Sequence, residues 1–426
     1  VIRVFLALSA LYLSLVGVSR VQAEASGLDA LISEALANNP DLSVLRERLT
    51  VFDARISQAG ALDDPTVRFE VSNLPLSSFD LSSTPMSGNQ LTLSQKVPLP
   101  GKRNARERMA SHAAQSMGSL FEDRKAIVIN EVKQAYFTLV FVDRAIAVTK
   151  KNRALLQDLV RIVRSKYAVG KGLQQDVLKA QVSVSELDNQ LISLKAKRKM
   201  AQAKLSLVLN RSQQMPVAVT SDTLTLSALT LTMETLQEMA LAHRPLLKAS
   251  EFSIEKSRAQ EDLSRRNLWP DLTFSLGYRQ RMFMAGDPVT GSDFISFGIG
   301  FSIPAFRSRK QRQQVVEARA NIRMAEAQKA ADRQHIFYEI QKLVIDIEEH
   351  RDKAKLFQTA MLPQAEQSLS SAITGYQVEK VDFLTLLDNQ MTLFNFEIAY
   401  FRHVVEHEKR MAGLEAVVGR SVVSSQ

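Results

Sequence analysis

The chain of 426 residues contains no cysteine. A disulfide scaffold, thiol catalysis, cysteine-ligated zinc and a lipid-modified N-terminal cysteine are thereby excluded. Past the first 23 residues no segment reaches about eighteen uninterrupted apolar residues, so no helix there suits a bilayer span. Any membrane-embedded part must be built of strands. Aromatics make up only 7% of the chain, whereas Ala, Gln, Leu, Ser and Lys abound, which favours long helices. The net charge is +9, but the charges are interspersed along helical patterns. With no basic block and no aromatic-interleaved motif, nucleic acid is not a partner, and solvated helix faces account for the charge. There is no P-loop and no dinucleotide fingerprint.

Residues 1–23 read as a secretory signal peptide. Arg3 supplies a basic start, Val4 to Val18 an apolar core, and Val21-Gln22-Ala23 (or Ala23-Glu24-Ala25) a small-residue cleavage site. An uncleaved anchor is the alternative. Removing Arg3 and Arg20 leaves a charge of about +7.

What remains is organised around Gln90 to Arg108. Leu91, Leu93, Gln95 and Val97 alternate with Thr92, Ser94 and Lys96, the period of a strand. Pro98, Pro100 and Gly101 end it, because proline cannot donate to a ladder and fixes φ. From about Asn104 to Tyr167 only Gly118 interrupts a helical spacing that includes Val132, Tyr136, Leu139, Val142 and Ile146. A helix that long must pack beside other rods rather than fold back on itself. A turn at 167–172 leads to an a/d seam, Leu173, Val177, Ala180, Val184, Leu187, Leu191 and Leu194, continued by Ala201, Leu205 and Val208. Leu178, Val182 and Ile192 form a weaker second seam, as expected of a helix with two neighbours. A simple antiparallel helical hairpin, the plainer alternative, needs only one.

Ahead of this lie a helix over 28–59, broken near Asn38-Asn39-Pro40, and a strand over 66–73 that forms a hairpin with the first. The pattern then recurs. Ala242-His243-Arg244-Pro245 echoes Ala37 to Pro40, and 271–278 echoes the strand at 66. Phe294 to Ile303 sets Ile295, Phe297, Ile299, Phe301 and Ile303 against Ser296, Gly298, Gly300 and Ser302. Pro304 ends that strand, and another long helix runs from about Arg309 with a late Pro363. Tyr376 to Asp382 occupies the place of the Tyr167 turn, and Gln181 and Gln390 lie equally far beyond their tyrosines. The expectation is an internal tandem repeat: 24–232 with a hairpin at 66–97, and 233–426 with a hairpin at 271–303, each followed by a long helix and a coiled-coil helix.

Four strands with a bulky apolar face and a small polar face suit lipid on one side and a watery lumen on the other. Four strands cannot close a barrel, and open edges are not tolerated in hydrocarbon. Three copies supply twelve strands and six helical units, enough for a barrel and a tube. The alternative is a soluble four-stranded sheet packed on helices.

Gln95-Lys-Val-Pro-Leu-Pro-Gly-Lys-Arg103, its copy Ile303-Pro304, and the Tyr167, Gly170, Asp176-Val177-Leu178, Ala180-Gln181 pattern resemble the TolC-type outer membrane factor family across essentially the whole mature chain. The Pro-Gly-Lys-Arg form is similar to the branch serving heavy-metal resistance pumps. The resemblance implies an α+β membrane protein and a homotrimer: a twelve-stranded outer-membrane β-barrel, four strands per chain, continuing into a long periplasmic α-helical barrel. It implies a location in the cell outer membrane, contact with outer membrane lipid, a periplasmic adaptor, and an inner-membrane pump of the resistance-nodulation-division type. The chain is then a passive gated duct, with no catalytic residue, no cofactor and no metal centre of its own, and its cargo is heavy-metal cations. Drug or organic-solute efflux and type I protein secretion are alternatives in the same fold; a soluble periplasmic coiled-coil scaffold is one of another class.

The resemblance also assigns residues. The periplasmic gate falls on Asp176 with Tyr376, and Asp388 matches a position that rings the constriction, although a neighbouring family aspartate is Thr385 here. The plain alternatives are a dipole-facing helix acid for Asp176 and a solvated face for Asp388. The adaptor-docking turns are Val169, Gly170, Lys171 and Gly172, with Val378, Glu379 and Lys380 as a counterpart that lacks the glycine. Pro98, Pro100, Gly101 and Pro304 mark the strand-to-helix junctions. Met86, Met282 and Met284 in the outer loops suit soft metals but are read as gap-fillers. His403-Val-Val-Glu406-His407 spells an inverted zinc-protease motif, yet sits in a heptad-patterned helix with no domain around it.

Overall fold

Proline and the residue before it set both helix starts. Asn39 caps the helix that begins at Pro40, its Oδ1 accepting from the amides of Asp41 and Leu42. Arg244 precedes Pro245 at the matching place in the second half, but its side chain makes no cap. The structure, a computed structural model, describes residues 27–212, 226–282, 286, 288, 289 and 292–422. The expected signal segment lies outside them, as do Met284 and most of the connecting segment near 213–225.

The element order occurs twice. The first pass is α1 (Leu28–Asn38), α2 (Pro40–Gly60), β1 (Thr66–Ser72), β2 (Gly88–Val97), α3 (Lys102–Ala168) and α4 (Gln174–Leu209). The second is α5 (Met233–His243), α6 (Pro245–Arg266), β3 (Leu272–Gln280), β4 (Phe294–Phe301), α7 (Gln311–Leu356), a π-turn (Phe357–Met361), α8 (Leu362–Gln377) and α9 (Phe383–Val418). With 67 residues, α3 spans about 100 Å. The long helix of the second half is not continuous. Pro363 has no amide to bond backwards, and the π-turn just before it absorbs the break.

The strands form one antiparallel sheet in the order β1-β2-β3-β4, so β1 and β4 are both unpaired edges. Register puts unlike residues on opposite faces. Phe69, Leu91, Tyr278 and Ile295 share one row, and Val67, Leu93, Leu276 and Phe297 the next. Among the described residues no element packs on this apolar face; Phe297 is 85% exposed. The other face carries rows such as Arg68-Thr92-Gly277-Ser296 and Thr66-Ser94-Ser275-Gly298.

The helices pack lengthwise. Near the sheet, α3 lies against α2 and α6, and α6 against α7; farther away, α3 pairs with α4 and α9, and α7 with α9. Ala180, Leu187, Leu191, Leu194, Ala201, Leu205 and Val208 of α4 are buried. The second seam is not: Leu178, Val182 and Ile192 are exposed.

Candidate functional site

The end of the rods farthest from the sheet consists of two turns with one backbone. At the α3–α4 turn the Lys171 amide donates to Lys166 O at 2.8 Å, closing a loop around Gly170 at φ 72°. At the α8–α9 turn the Lys380 amide donates to Gly375 O at 2.8 Å around Glu379 at φ 58°. The left-handed residue is the normal end of such a helix, and glycine holds it without strain. The missing glycine in the second turn therefore changes no geometry; Glu379 takes the strained conformation itself. Val169, Lys171, Val378, Glu379 and Lys380 are all exposed, so both turns present backbone and side chains outward.

Tyr376 is half-buried beneath these turns. Its ring meets Phe383 edge-on at 6.0 Å, and Lys166 Nζ lies 4.2 Å from the ring centroid while donating to Tyr376 O at 3.4 Å. Burial pushes the Tyr376 hydroxyl up, and the charge of Asp176 pushes it further in the same direction. Asp176 and Tyr376 are thus electrostatic neighbours within one chain, but no hydrogen bond joins them. The Asp176 amide is satisfied by Leu173 O at 3.2 Å, in the first turn of α4. Asp388 is exposed on α9 and has no ion-pair partner among the described residues; Thr385 is engaged at the helix start, its amide donating to Asp382 at 2.7 Å. Asp176 thus acts on Tyr376 through its charge alone, and among the described residues no hydrogen bond or ion pair joins Asp388 to either.

At the opposite end of the rods, the Pro-Gly-Lys-Arg run forms a clamp between the two halves. Gly101 sits at φ 89°, and a Cβ there would lie 2.1 Å from Arg266 Nη1. Lys102 is buried; its Nζ donates to Trp269 O at 2.7 Å and to Asp271 at 2.6 Å. Arg103 Nε donates to Gly60 O at 2.8 Å, capping α2. Burial raises the Asp271 carboxyl, but Lys102 and Lys96 outweigh it and hold the group below its ordinary value. The Pro304 junction has no counterpart: β4 ends at Phe301, short of the expected Ile303, and residues 305–310 pass through successive turns before α7 begins.

Several positions were not singled out by sequence. Asn152 and Gln390 are buried between α3 and α9 and joined at 2.7 Å; the matched spacing of Gln181 and Gln390 from their tyrosines was the only trace. Asp123 and Arg244 form a buried ion pair at 3.0 Å, and Arg244 also donates to Ala416 O at the end of α9. Burial pushes the Asp123 carboxyl up and the Arg244 guanidinium down. The His-x-x-Glu-His motif does not assemble. His403 faces His350 of α7, whereas His407 is buried against Glu408. Among the described residues no group of three or more metal-ligating side chains converges, and no helix is long and apolar enough to cross a membrane.

The sequence matches the family described as "Outer membrane efflux protein" over residues 31–211 and 236–419. It is 23% identical over 402 residues to the cobalt-zinc-cadmium resistance protein CzcC of Cupriavidus metallidurans, covering 93% of this chain and 91% of that protein. In fold it is similar to the outer-membrane channel OprN, with a TM-score of 0.78 at 17% identity over 93% of this chain and 90% of that one. CusC aligns with a TM-score of 0.78 at 16% identity, over 92% of each chain. VceC from Vibrio cholerae aligns with a TM-score of 0.78 at 18% identity, over 93% of this chain and 96% of that one.

Proposed function

The chain belongs to the outer membrane efflux protein family, and we propose that three copies assemble into its complete duct: a twelve-stranded barrel in the outer membrane continuing into a helical tunnel. Membership makes the chain a transport channel of the outer membrane with a periplasmic helical extension, and not an enzyme. The observation that carries the trimer is the sheet. Its apolar face is exposed except at the half-buried Val97 and Leu272 beside the helices, and both its edges are open, a combination that hydrocarbon tolerates only in a closed barrel. Four strands from each of three copies close one of even strand number. The exposed Leu178, Val182 and Ile192 seam of α4 gives each copy a helical face for its neighbour.

The duct does no bond chemistry; its partners supply the energy. A periplasmic adaptor docks on the turns at Val169–Gly172 and Val378–Lys380, and an inner-membrane pump of the resistance-nodulation-division type drives the cargo. The gate lies at these turns. Asp176 and Tyr376 hold it shut, and Asp388 lines the constriction with negative charge. The cargo is heavy-metal cations, supported by the likeness to a protein named for cobalt, zinc and cadmium resistance and by the resemblance of the Pro-Gly-Lys-Arg run to the heavy-metal branch of the family.

Single-channel conductance of the detergent-extracted protein in a planar bilayer tests this reading. A small cation-preferring conductance is expected, rising in Asp176→Ala and Tyr376→Phe. Unchanged conductance in both variants removes the gate from the tip. A protein that needs no detergent and conducts nothing is not a duct. Loss of cobalt, zinc and cadmium tolerance in a deletion strain checks the cargo, and unaltered tolerance contradicts it.

A further inference from the structure

Buried α7 residues recur at Ile336, Ile340, Leu343, Ile347 and Ala354, alternating steps of four and three. His350 falls on the one remaining beat of that seam. It faces His403 of α9, and the two Nδ1 atoms are 3.1 Å apart. The ring of His403 has two ring neighbours. His350 lies 5.3 Å from it and Phe357, one heptad further along, is stacked on it at 5.7 Å between centroids. Phe357 also opens the π-turn. An apolar seam thus carries two imidazoles, aimed at each other by their ring nitrogens, at the point where α7 loses its regular register.

We propose that His350 and His403 form a two-imidazole site for a divalent first-row transition-metal ion, and that the ion ties α7 to α9 beside the π-turn. Two nitrogens each about 2.1 Å from one ion are about 3.0 Å apart at a right angle and about 3.4 Å apart at the tetrahedral angle. The observed spacing is nearer the former, which favours the tetragonal geometry of Cu2+ or Ni2+. Imidazole is a ligand only when neutral. Burial lowers the proton affinity of both rings, and the neighbouring His350 lowers that of His403 further. Without an ion, one ring must donate its Nδ1 proton to the other. With an ion both rings carry their proton on Nε2, so binding requires a tautomer shift and releases no proton.

The surrounding charges are already occupied. Glu349 is paired with Lys353, Glu406 with Lys409 and Arg410, and Asp346 with Arg410. These carboxylates contribute field rather than donors, in keeping with the absence of a three-residue cluster among the described residues. Solvent completes the shell, and an open shell suits an ion that exchanges. The two rings lie on α7 and α9, outside the tip turns.

The test uses the full chain extracted in detergent and carrying no polyhistidine tag. Cu2+ and Ni2+ are supplied by equilibrium dialysis, and bound metal is counted per chain. One ion per chain is expected, with a Cu2+ electron paramagnetic resonance spectrum showing two nitrogen donors. His350→Leu and His403→Leu should each weaken binding by more than about tenfold. The paired leucine variant should lose the site and, because leucine completes the apolar seam, raise the thermal midpoint without metal. No bound ion in the wild type, or binding retained in the paired variant, means the two rings are only a hydrogen-bonded pair and overturns the proposal. A spectrum with a single nitrogen donor overturns it as well.

Discussion

The two halves of the chain build one backbone from different chemistry. At the helix break the first half uses Asn39, which caps its own helix and donates to Val208 O at 3.0 Å. The second uses Arg244, which reaches Ala416 O and neutralises the buried Asp123. At the tip, the first half places glycine at the left-handed position and leaves α4 without a side-chain cap at Leu173. The second places Glu379 there and caps α9 with Asp382. Even the close contact inside the turn is reversed. In the first turn Lys166 keeps its side chain and Gly172 makes room for it; in the second Gly375 makes room for Val381. A duplicated backbone constrains the sum of two neighbours, not either residue alone.

That contrast is broken most severely at the helix breaks. Arg244→Met strands the Asp123 carboxylate in a buried site and should cost about 3–5 kcal/mol, whereas Asn39→Ala removes a cap worth about 1–2 kcal/mol. Thermal midpoints of the two variants should rank accordingly, and adding Asp123→Leu to Arg244→Met should restore most of the loss. Equal effects would mean that the buried pair is not carrying charge.

A smaller effect sharpens the contrast inside the turns. A Cβ on Gly375 would lie 2.5 Å from Val381 Cγ2, so Gly375→Ala should destabilise by about 1–3 kcal/mol. Combining it with Val381→Ala should recover the stability, a coupling visible in a double-mutant cycle. Purely additive losses would disprove the exchange. Smaller again, Glu379→Gly should stabilise by about 1 kcal/mol by relieving the left-handed backbone, and Gly170→Glu should destabilise by a similar amount.

The least effect concerns acid. The Asp271 carboxyl is held below its ordinary value of 3.8 in the fold. The stability it contributes is therefore present above that value and is lost as pH falls through the lowered one. Lys102→Met should flatten this acid-side loss in a thermal midpoint profile below about pH 4; a profile unchanged by the substitution would show that the clamp holds by packing rather than by charge.

Much of this was legible in sequence, for physical reasons. Strands announce themselves by a period of two, and the apolar rows Phe69-Leu91-Tyr278-Ile295 and Val67-Leu93-Leu276-Phe297 follow from the alternation once hairpins fix the register. From Ala180 on, the a/d residues of α4 are buried except the half-buried Val184, whereas Val177 is half-buried and Leu173, at the tip, is exposed. The start of α3 lies two residues before Asn104 because Gly101, not the charged run, sets the boundary. What sequence did not reveal depends on long-range pairing. Lys102 looks like a surface lysine until Asp271 arrives from the other half. Asp123 and Arg244 are 121 positions apart, and His350 is an ordinary exposed-helix residue until α9 brings His403 to it. The π-turn was visible only as a proline. A heptad pattern locates the seam but cannot say which helix fills the other side.

The central claim is that two further copies of the chain complete the sheet, and the absence of native cysteine makes it directly testable. Phe69→Cys in β1 is combined in turn with Ile295→Cys, Phe297→Cys, Ile299→Cys and Phe301→Cys in β4, and the protein is oxidised in outer membranes. At one or two of these positions the account predicts a covalent ladder of one, two and three chains that stops at three. Ladders that continue beyond three chains, or no cross-link at any position of β4, would contradict a closed twelve-stranded barrel.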